Sequence, residues 1–299
     1  MKKDYNSTIL AIDFGNSAMK LAIFNNVTGK ASMHSRILLE TVNPRSYTKL
    51  GKYYGESFLT TLRDRFPNID TVIYATVNPR FSDKFLKGFK ELTNDSIPCI
   101  EINHSNSFSF ISNVDFLNEV GIDLLCACEA AVMRERKLPT FILDLGTYSK
   151  LIFLNYFNDT YILEGVNIGP GIWNMAKAGI LPKHISKKGV SLNYFSVPYQ
   201  AVGKNTVSSF QNGNGMMFAN MFTATIEQIA VHYLETDEEE RYAIDVIVCG
   251  GGTNLMKPTL EMAARFFLDY ELAFEENLTM EGIFTVYSKN FLVKNGDAS

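Results

Sequence analysis

Several common chemistries are missing from this sequence. Four cysteines in 299 residues are too few and too scattered for a disulfide framework. Cys126 and Cys128 form a C-x-C without a second pair, which excludes a zinc knuckle. The four histidines, His34, His104, His184 and His232, lack metal-ligand spacing and read as structural or surface residues. Positive charge is not in excess. Lys and Arg number 28 against 32 Asp and Glu, and a net charge of -4 gives nucleic acid no attracting field. The opening Met1-Lys2-Lys3-Asp4-Tyr5-Asn6 is not followed by a long apolar run. Neither a secretory leader nor a membrane span is expected, and a cytoplasmic location is. Two familiar phosphate-binding signatures are also absent: there is no G-x-x-x-x-G-K-[ST] and no complete G-x-G-x-x-G.

What is present reads as an ordered globular chain, 46% hydrophobic and 20% charged. Its length exceeds what one core comfortably holds, so two domains are expected. Apolar runs predict strands at 8–13, 18–24, 35–39, 71–77 and 97–102. Helical spacing appears at 55–66, at 80–92 after the break at Asn78-Pro79, and at 121–137. A polar stretch at 103–109 reads as a loop. Residues 140–154 read as strand, turn and strand, and glycines and proline lead 169–180 into helix. A long apolar helix is expected at 215–235. A strand at 245–252 ends in Gly250-Gly251-Gly252, and helices close the chain around 256–268 and 279–289.

Two of these pieces look alike. One is strand-Asp13-x-Gly15-x-Ser17-strand, and the other is strand-Asp144-x-Gly146-Thr147-x-Ser149-strand. One hairpin used twice suggests duplicated α/β halves facing each other across a cleft. A glycine turn after a strand exposes backbone N–H groups and allows close approach, and Ser17 and Thr147 add hydroxyl donors. That composition suits phosphate oxygens. Asp13 and Asp144 would repel phosphate unless a cation lay between, so they read as direct or water-mediated cation holders near a nucleotide. Lys20 adds neutralising charge. The triple glycine would let an adenine lie flat on the backbone. The plainer reading is a pair of ordinary hairpins and a strand-to-helix turn. The acidic run 237–240 reads as a solvated turn.

In order and spacing, a longer series of segments resembles a known family. The series runs DFGNSAMK (13–20), ATVNPRF (75–81), VGIDL (120–124), DLGTYSK (144–150), GVNIGPG (165–171), AGILPK (178–183), VGKNTVSSFQNG (202–213), CGGG (249–252) and LTMEGIFTVYSKN (278–290). Together they resemble the type III pantothenate kinases, within the superfamily of acetate and sugar kinases, heat-shock ATPases and actin. The resemblance implies two ribonuclease H-like domains of duplicated origin, 1–120 and 121–299, facing a central nucleotide cleft. It implies ATP-dependent phosphorylation of pantothenate to phosphopantothenate, the first step of coenzyme A synthesis. Magnesium (Mg2+), a monovalent cation (K+ or NH4+) and a homodimer come with it.

Carried over by position, Asp123 is the general base, with Gly121, Ile122, Leu124 and Thr206 around the pantothenate. Gly15, Asn16, Ser17, Lys20, Gly146, Thr147, Gly250 and Gly251 take the ATP. Asp13 lies near the phosphates and magnesium, and Asp144 binds the monovalent cation. Three positions depart from the pattern. Leu124 stands where the family has arginine, Tyr148 where it has alanine, and Val166 where it has the second glycine of a Gly-Gly pair. The departures leave open a weak or inactive nucleotide-binding regulatory paralogue. The strand-Asp-x-Gly turns leave open an actin-like filament ATPase.

Overall fold

The computed structural model describes residues 7–16, 19–26, 31–37, 69–172, 174, 202–234, 243–267 and 272–292. The helix expected at 55–66, the segment 178–183 and Ser17 lie outside these residues. The chain forms two compact units. One comprises 1–109, 116–133 and 278–299, and the other 110–115 and 134–277. These units are not divided by a single cut near residue 120. Helices Ile122–Val132 and Leu278–Tyr287 both join the first unit.

The first unit is built on a five-stranded sheet in the order β3-β2-β1-β4-β5. Its strands are β1 (Ser7–Phe14), β2 (Met19–Asn26), β3 (Ala31–Ile37), β4 (Ile69–Thr76) and β5 (Cys99–Glu101). β1, β2 and β3 pair antiparallel, whereas β4 runs parallel to both β1 and β5. A parallel pair needs a crossover, and the helix Pro79–Thr93 supplies it between β4 and β5. Pro79 suits the first helical position, where its missing N–H costs nothing. Asn94 ends the helix in the left-handed conformation, at φ 50°. Phe81, Phe85 and Phe89, spaced by four, bury one face of this helix. Phe14 meets Tyr74, Phe81 and Phe85 edge-on, with centroids 6.0, 5.6 and 5.5 Å away.

The opposite face of β1 and β2 carries Ile9, Ala11, Ala22 and Phe24, all buried. Phe24 stacks on Phe284 at 4.5 Å, which puts the helix Leu278–Tyr287 on that face. The same helix presses against Ile122–Val132, because a Cβ on Gly282 would collide with the Cys126 carbonyl. A cluster of polar contacts ties the following π-helical turn, Ser288–Leu292, to the loop at 103–109. Asn290 accepts from Ser107 N–H at 2.9 Å and donates to its carbonyl at 3.1 Å. Glu129, fully buried, accepts from Ser109 N–H at 2.6 Å and from Ser109 Oγ at 2.8 Å, with Lys289 Nζ 3.6 Å away.

The second unit holds a six-stranded sheet in the order β11-β10-β7-β8-β9-β6. Its strands are β6 (Phe110–Ser112), β7 (Thr140–Leu145), β8 (Tyr148–Phe157), β9 (Thr160–Pro170), β10 (Asp245–Cys249) and β11 (Leu272–Phe274). Removing the edge strand β6 leaves β9-β8-β7-β10-β11, the arrangement of the first sheet repeated. A three-strand antiparallel meander is again followed by two parallel strands, and a helix, Thr253–Phe267, again crosses between the parallel pair. Both sheets are ribonuclease H-like. The helices Thr206–Tyr233 and Thr253–Phe267 cover one face through Phe218, Phe222, Ile226, Met256 and Leu260. No helix among the described residues is long and apolar enough to cross a membrane.

Three elements differ from the sequence expectation for identifiable reasons. The helix expected over 121–137 stops at Val132, since Arg134 turns away to pair with Glu275 at 2.8 Å and Asp245 at 3.6 Å. The helix expected from 215 begins at Thr206, where Asn205 and Ser208 form a reciprocal capping box. β9 follows β8 through a two-residue turn, Asn158-Asp159, whose φ values of 49° and 59° suit a tight hairpin.

The buried Glu129 cluster yields a stability prediction. Glu129→Ala removes a fully buried carboxylate that accepts two hydrogen bonds from Ser109, and is expected to cost about 2–3 kcal/mol in urea unfolding. Lys90→Ala, which breaks an exposed pair of 3.8 Å with Asp95, is expected to stay within about 0.5 kcal/mol. Equal effects of the two changes count against the cluster as a fastening.

Candidate functional site

Each unit carries a carboxylate at the end of the first strand of its antiparallel meander and a lysine directly across the hairpin. In the first unit Asp13 pairs in register with Lys20, and Lys20 Nζ lies 3.1 Å from Asp13 Oδ2. In the second, Asp144 pairs in register with Lys150, with Nζ 2.7 Å from Oδ2. Asp13 is 3% exposed and Asp144 8%. A carboxylate that deep needs a partner, and the antiparallel register provides one without any long-range contact. Lys20 was visible in the sequence as nearby charge. Lys150 was missed, and the signal that finds it is the pairing count: the shorter second turn places the matching lysine six residues on rather than seven.

Glycines make room for these carboxylates. A Cβ on Gly250 would lie 2.5 Å from Asp144 Oδ1 and 2.7 Å from Leu145 N, and the residue has φ +92°. Gly250 therefore brings the end of β10 against the end of β7. Gly252 N–H donates to the Leu145 carbonyl at 2.8 Å, closing the turn into the helix Thr253–Phe267. Gly251 is exposed, with nothing within 4 Å of a built Cβ. Gly146 lies beside Asp144, where a Cβ would be 3.5 Å from Oδ2. The Thr147 carbonyl accepts from Asn174 Nδ2 at 2.6 Å.

Asp123 occupies the first turn of the helix Ile122–Val132, half-buried, after the N-cap Gly121. Its Oδ1 accepts from Leu124 N–H at 3.0 Å. A Cβ on Gly121 would collide with that same oxygen, so glycine two residues earlier lets the carboxylate sit over the helix N-terminus. The helix dipole favours negative charge at this end. Burial chiefly, then Asp13 and Asp123 in that order, push the Cys126 thiol well above its ordinary range. Ile122 and Leu124 are buried, Leu124 at 5% exposure, so the position expected to hold a charged arginine holds core instead. Gly15 is half-buried and Asn16 exposed at the first turn. Thr206 opens the helix that Asn205 caps.

The first unit thus carries Asp13 with Lys20 and Gly121 with Asp123, and the second brings together Asp144, Gly146, Lys150 and Gly250. At Asp13, Lys20 Nζ lies 3.1 Å from Oδ2, so a magnesium ion, which keeps several of its waters, would be held there through water. At Asp144 the fit with a monovalent cation is poor. The ammonium of Lys150 already occupies Oδ2, and Oδ1 faces the Gly250 backbone.

Two sheets of one ribonuclease H-like order, each ending its first hairpin in a carboxylate and a glycine turn, place the chain among the acetate and sugar kinases, heat-shock ATPases and actin. The sequence model of the type III pantothenate kinase family matches residues 9–228. The chain belongs to that family. It is 25% identical over 293 residues to a type III pantothenate kinase of Acholeplasma laidlawii, covering 94% of this chain and 99% of that one. It is 27% identical over 254 residues to one of Desulfotalea psychrophila, covering 84% and 89%. Among solved structures it is similar to a propionate kinase from Francisella tularensis, with a TM-score of 0.46, 11% identity, and coverage of 94% and 98%.

The first two of the three glycines after Cys249 give a contrasting pair of variants. Gly250→Ala is expected to cost at least about 2 kcal/mol, from the left-handed φ and the clash with Asp144. Gly251→Ala is expected to change stability by no more than about 1 kcal/mol. Urea unfolding of both variants measures the difference. A silent Gly250→Ala would contradict the close approach of β10 to β7.

Proposed function

We propose that the protein transfers the γ-phosphoryl group of ATP to the primary hydroxyl of pantothenate, releasing ADP. Membership of the family supports the reaction class. The observation that carries the reading is Asp123 seated over a helix N-terminus that Gly121 leaves open, in the same unit as the Asp13–Lys20 hairpin. Asp13 and Asp123 separate the two tasks phosphoryl transfer needs: charge neutralisation at the phosphates and proton removal at the acceptor.

Asp123 accepts the hydroxyl proton as the hydroxyl oxygen bonds to the γ-phosphorus and the bond to the β,γ-bridging oxygen breaks. The resemblance assigns Gly121, Ile122 and Leu124 of the first unit to pantothenate, and Thr206 of the second. The turns at Gly15-Asn16 and Gly146-Thr147 present N–H and hydroxyl donors to phosphate oxygens, and Ser17 is assigned to them by the resemblance. Gly250 and Gly251 leave flat backbone for the adenine. Lys20 adds positive charge beside Asp13. Asp13 would hold magnesium through water, and the metal when bound neutralises charge on the phosphates. A homodimer in the cytoplasm completes the proposal.

A second reading has its own support. Leu124 puts buried apolar surface where the family pattern has a guanidinium. A protein of this kind would bind nucleotide as a regulatory paralogue without turnover.

Incubation with ATP, magnesium and pantothenate, read by mass spectrometry, separates the two. Phosphopantothenate is expected from the unaltered chain. Asp123→Asn is expected to lower kcat by about 10²- to 10⁴-fold while ATP still binds. ATP binding without product from the unaltered chain supports the regulatory reading. Full activity in Asp123→Asn removes Asp123 from the mechanism.

A further inference from the structure

We infer that Lys150 stands in for a monovalent cation at Asp144, so that this chain binds its nucleotide without potassium or ammonium. The inference rests on the kinase reading above and concerns how the second hairpin is charged. Lys150 Nζ lies 2.7 Å from Asp144 Oδ2, within the range of a strong charge-assisted hydrogen bond. The side chains are 20% and 11% exposed, so water screens the pair only in part. Both residues sit on paired strands in direct register, and the contact is set by the sheet rather than by a flexible loop.

The charge balance is complete without another ion. One carboxylate and one ammonium sum to zero, as one carboxylate and one potassium ion would. A tethered ammonium also meets its carboxylate at an effective concentration of order millimolar or higher, and it does not dissociate into bulk. A free cation would have to displace it from Oδ2 or enter beside Oδ1, where the Gly250 backbone already stands close. Lys150 is therefore a positioning residue. It fixes the charge of the second turn, next to Gly146 and Thr147, in place of an ion drawn from solution.

The test uses the full chain in tetramethylammonium buffer. Potassium, ammonium or further tetramethylammonium chloride is added at one ionic strength. ATP affinity is measured by calorimetry and the melting temperature by scanning, with phosphopantothenate formation followed alongside. For the unaltered chain, ATP affinity is expected to differ by less than about twofold among the three salts, with no potassium-dependent melting shift. Lys150→Met and Lys150→Gln are expected to bind ATP at least about tenfold more weakly in tetramethylammonium. Potassium is expected to restore most of that loss.

An unaltered chain that binds ATP about tenfold more tightly in potassium overturns the inference. So do variants that bind as the parent in every salt, or weakened variants that no cation rescues. Thallium(I) resonance on the unaltered chain needs no variant to fold. A tightly held thallium signal counts against Lys150, and its absence counts for it. Failure of the kinase reading looks different: ATP binds in every salt and no phosphopantothenate forms, while the cation result stands.

Discussion

The structure depends on burying a carboxylate at the end of a central strand. Asp13 and Asp144 are 3% and 8% exposed, and each would be costly without a countercharge. The antiparallel neighbour supplies one by register alone, at 3.1 Å in the first unit and 2.7 Å in the second. Much of the local sequence follows from this constraint. The strand must be apolar on both faces up to the acid. The turn must be tight, and the lysine must fall on the opposing rung. In the second unit a glycine must also bring β10 in beside the acid. One solution, used twice, produces two sheets of the same order.

Much of this was legible in the sequence. Asp13, Gly15, Asp144 and Gly146 stood out because acids rarely end buried strands, and the repeat was visible because both halves keep the same residue types. Helix 79–93 was legible from Asn78-Pro79 and from phenylalanines four apart. Other features were hidden because they depend on partners far away in sequence. Arg134 ends its helix early to reach Asp245 and Glu275, which no local pattern announces. Lys150 was hidden by a turn one residue shorter than its counterpart. The Asn158-Asp159 turn was a missed local signal: asparagine and aspartate tolerate positive φ, and both adopt it here. Thr206 opens its helix behind the capping residue Asn205.

The departures from the family pattern also have physical settings. Leu124 belongs to the buried face of its helix, so its effect is to thicken the core while removing a charge. Tyr148 is 53% exposed, and its ring adds surface at the second turn. Val166 lies half-buried on β9 opposite Ile152. Only Leu124 alters charge beside a proposed catalytic group, which makes it the departure with the clearest chemical consequence.

The helix that covers the first hairpin comes from the far end of the polypeptide. Phe284 stacks on Phe24, and Gly282 locks that helix onto Cys126. During synthesis the opening strands leave the ribosome more than two hundred residues before their cover does. The second unit, ending at residue 277, has all its segments available first. The first hairpin, made before the second unit, is thus finished after it, with Ile9, Ala11 and Phe24 lacking this cover until residues 278–292 emerge.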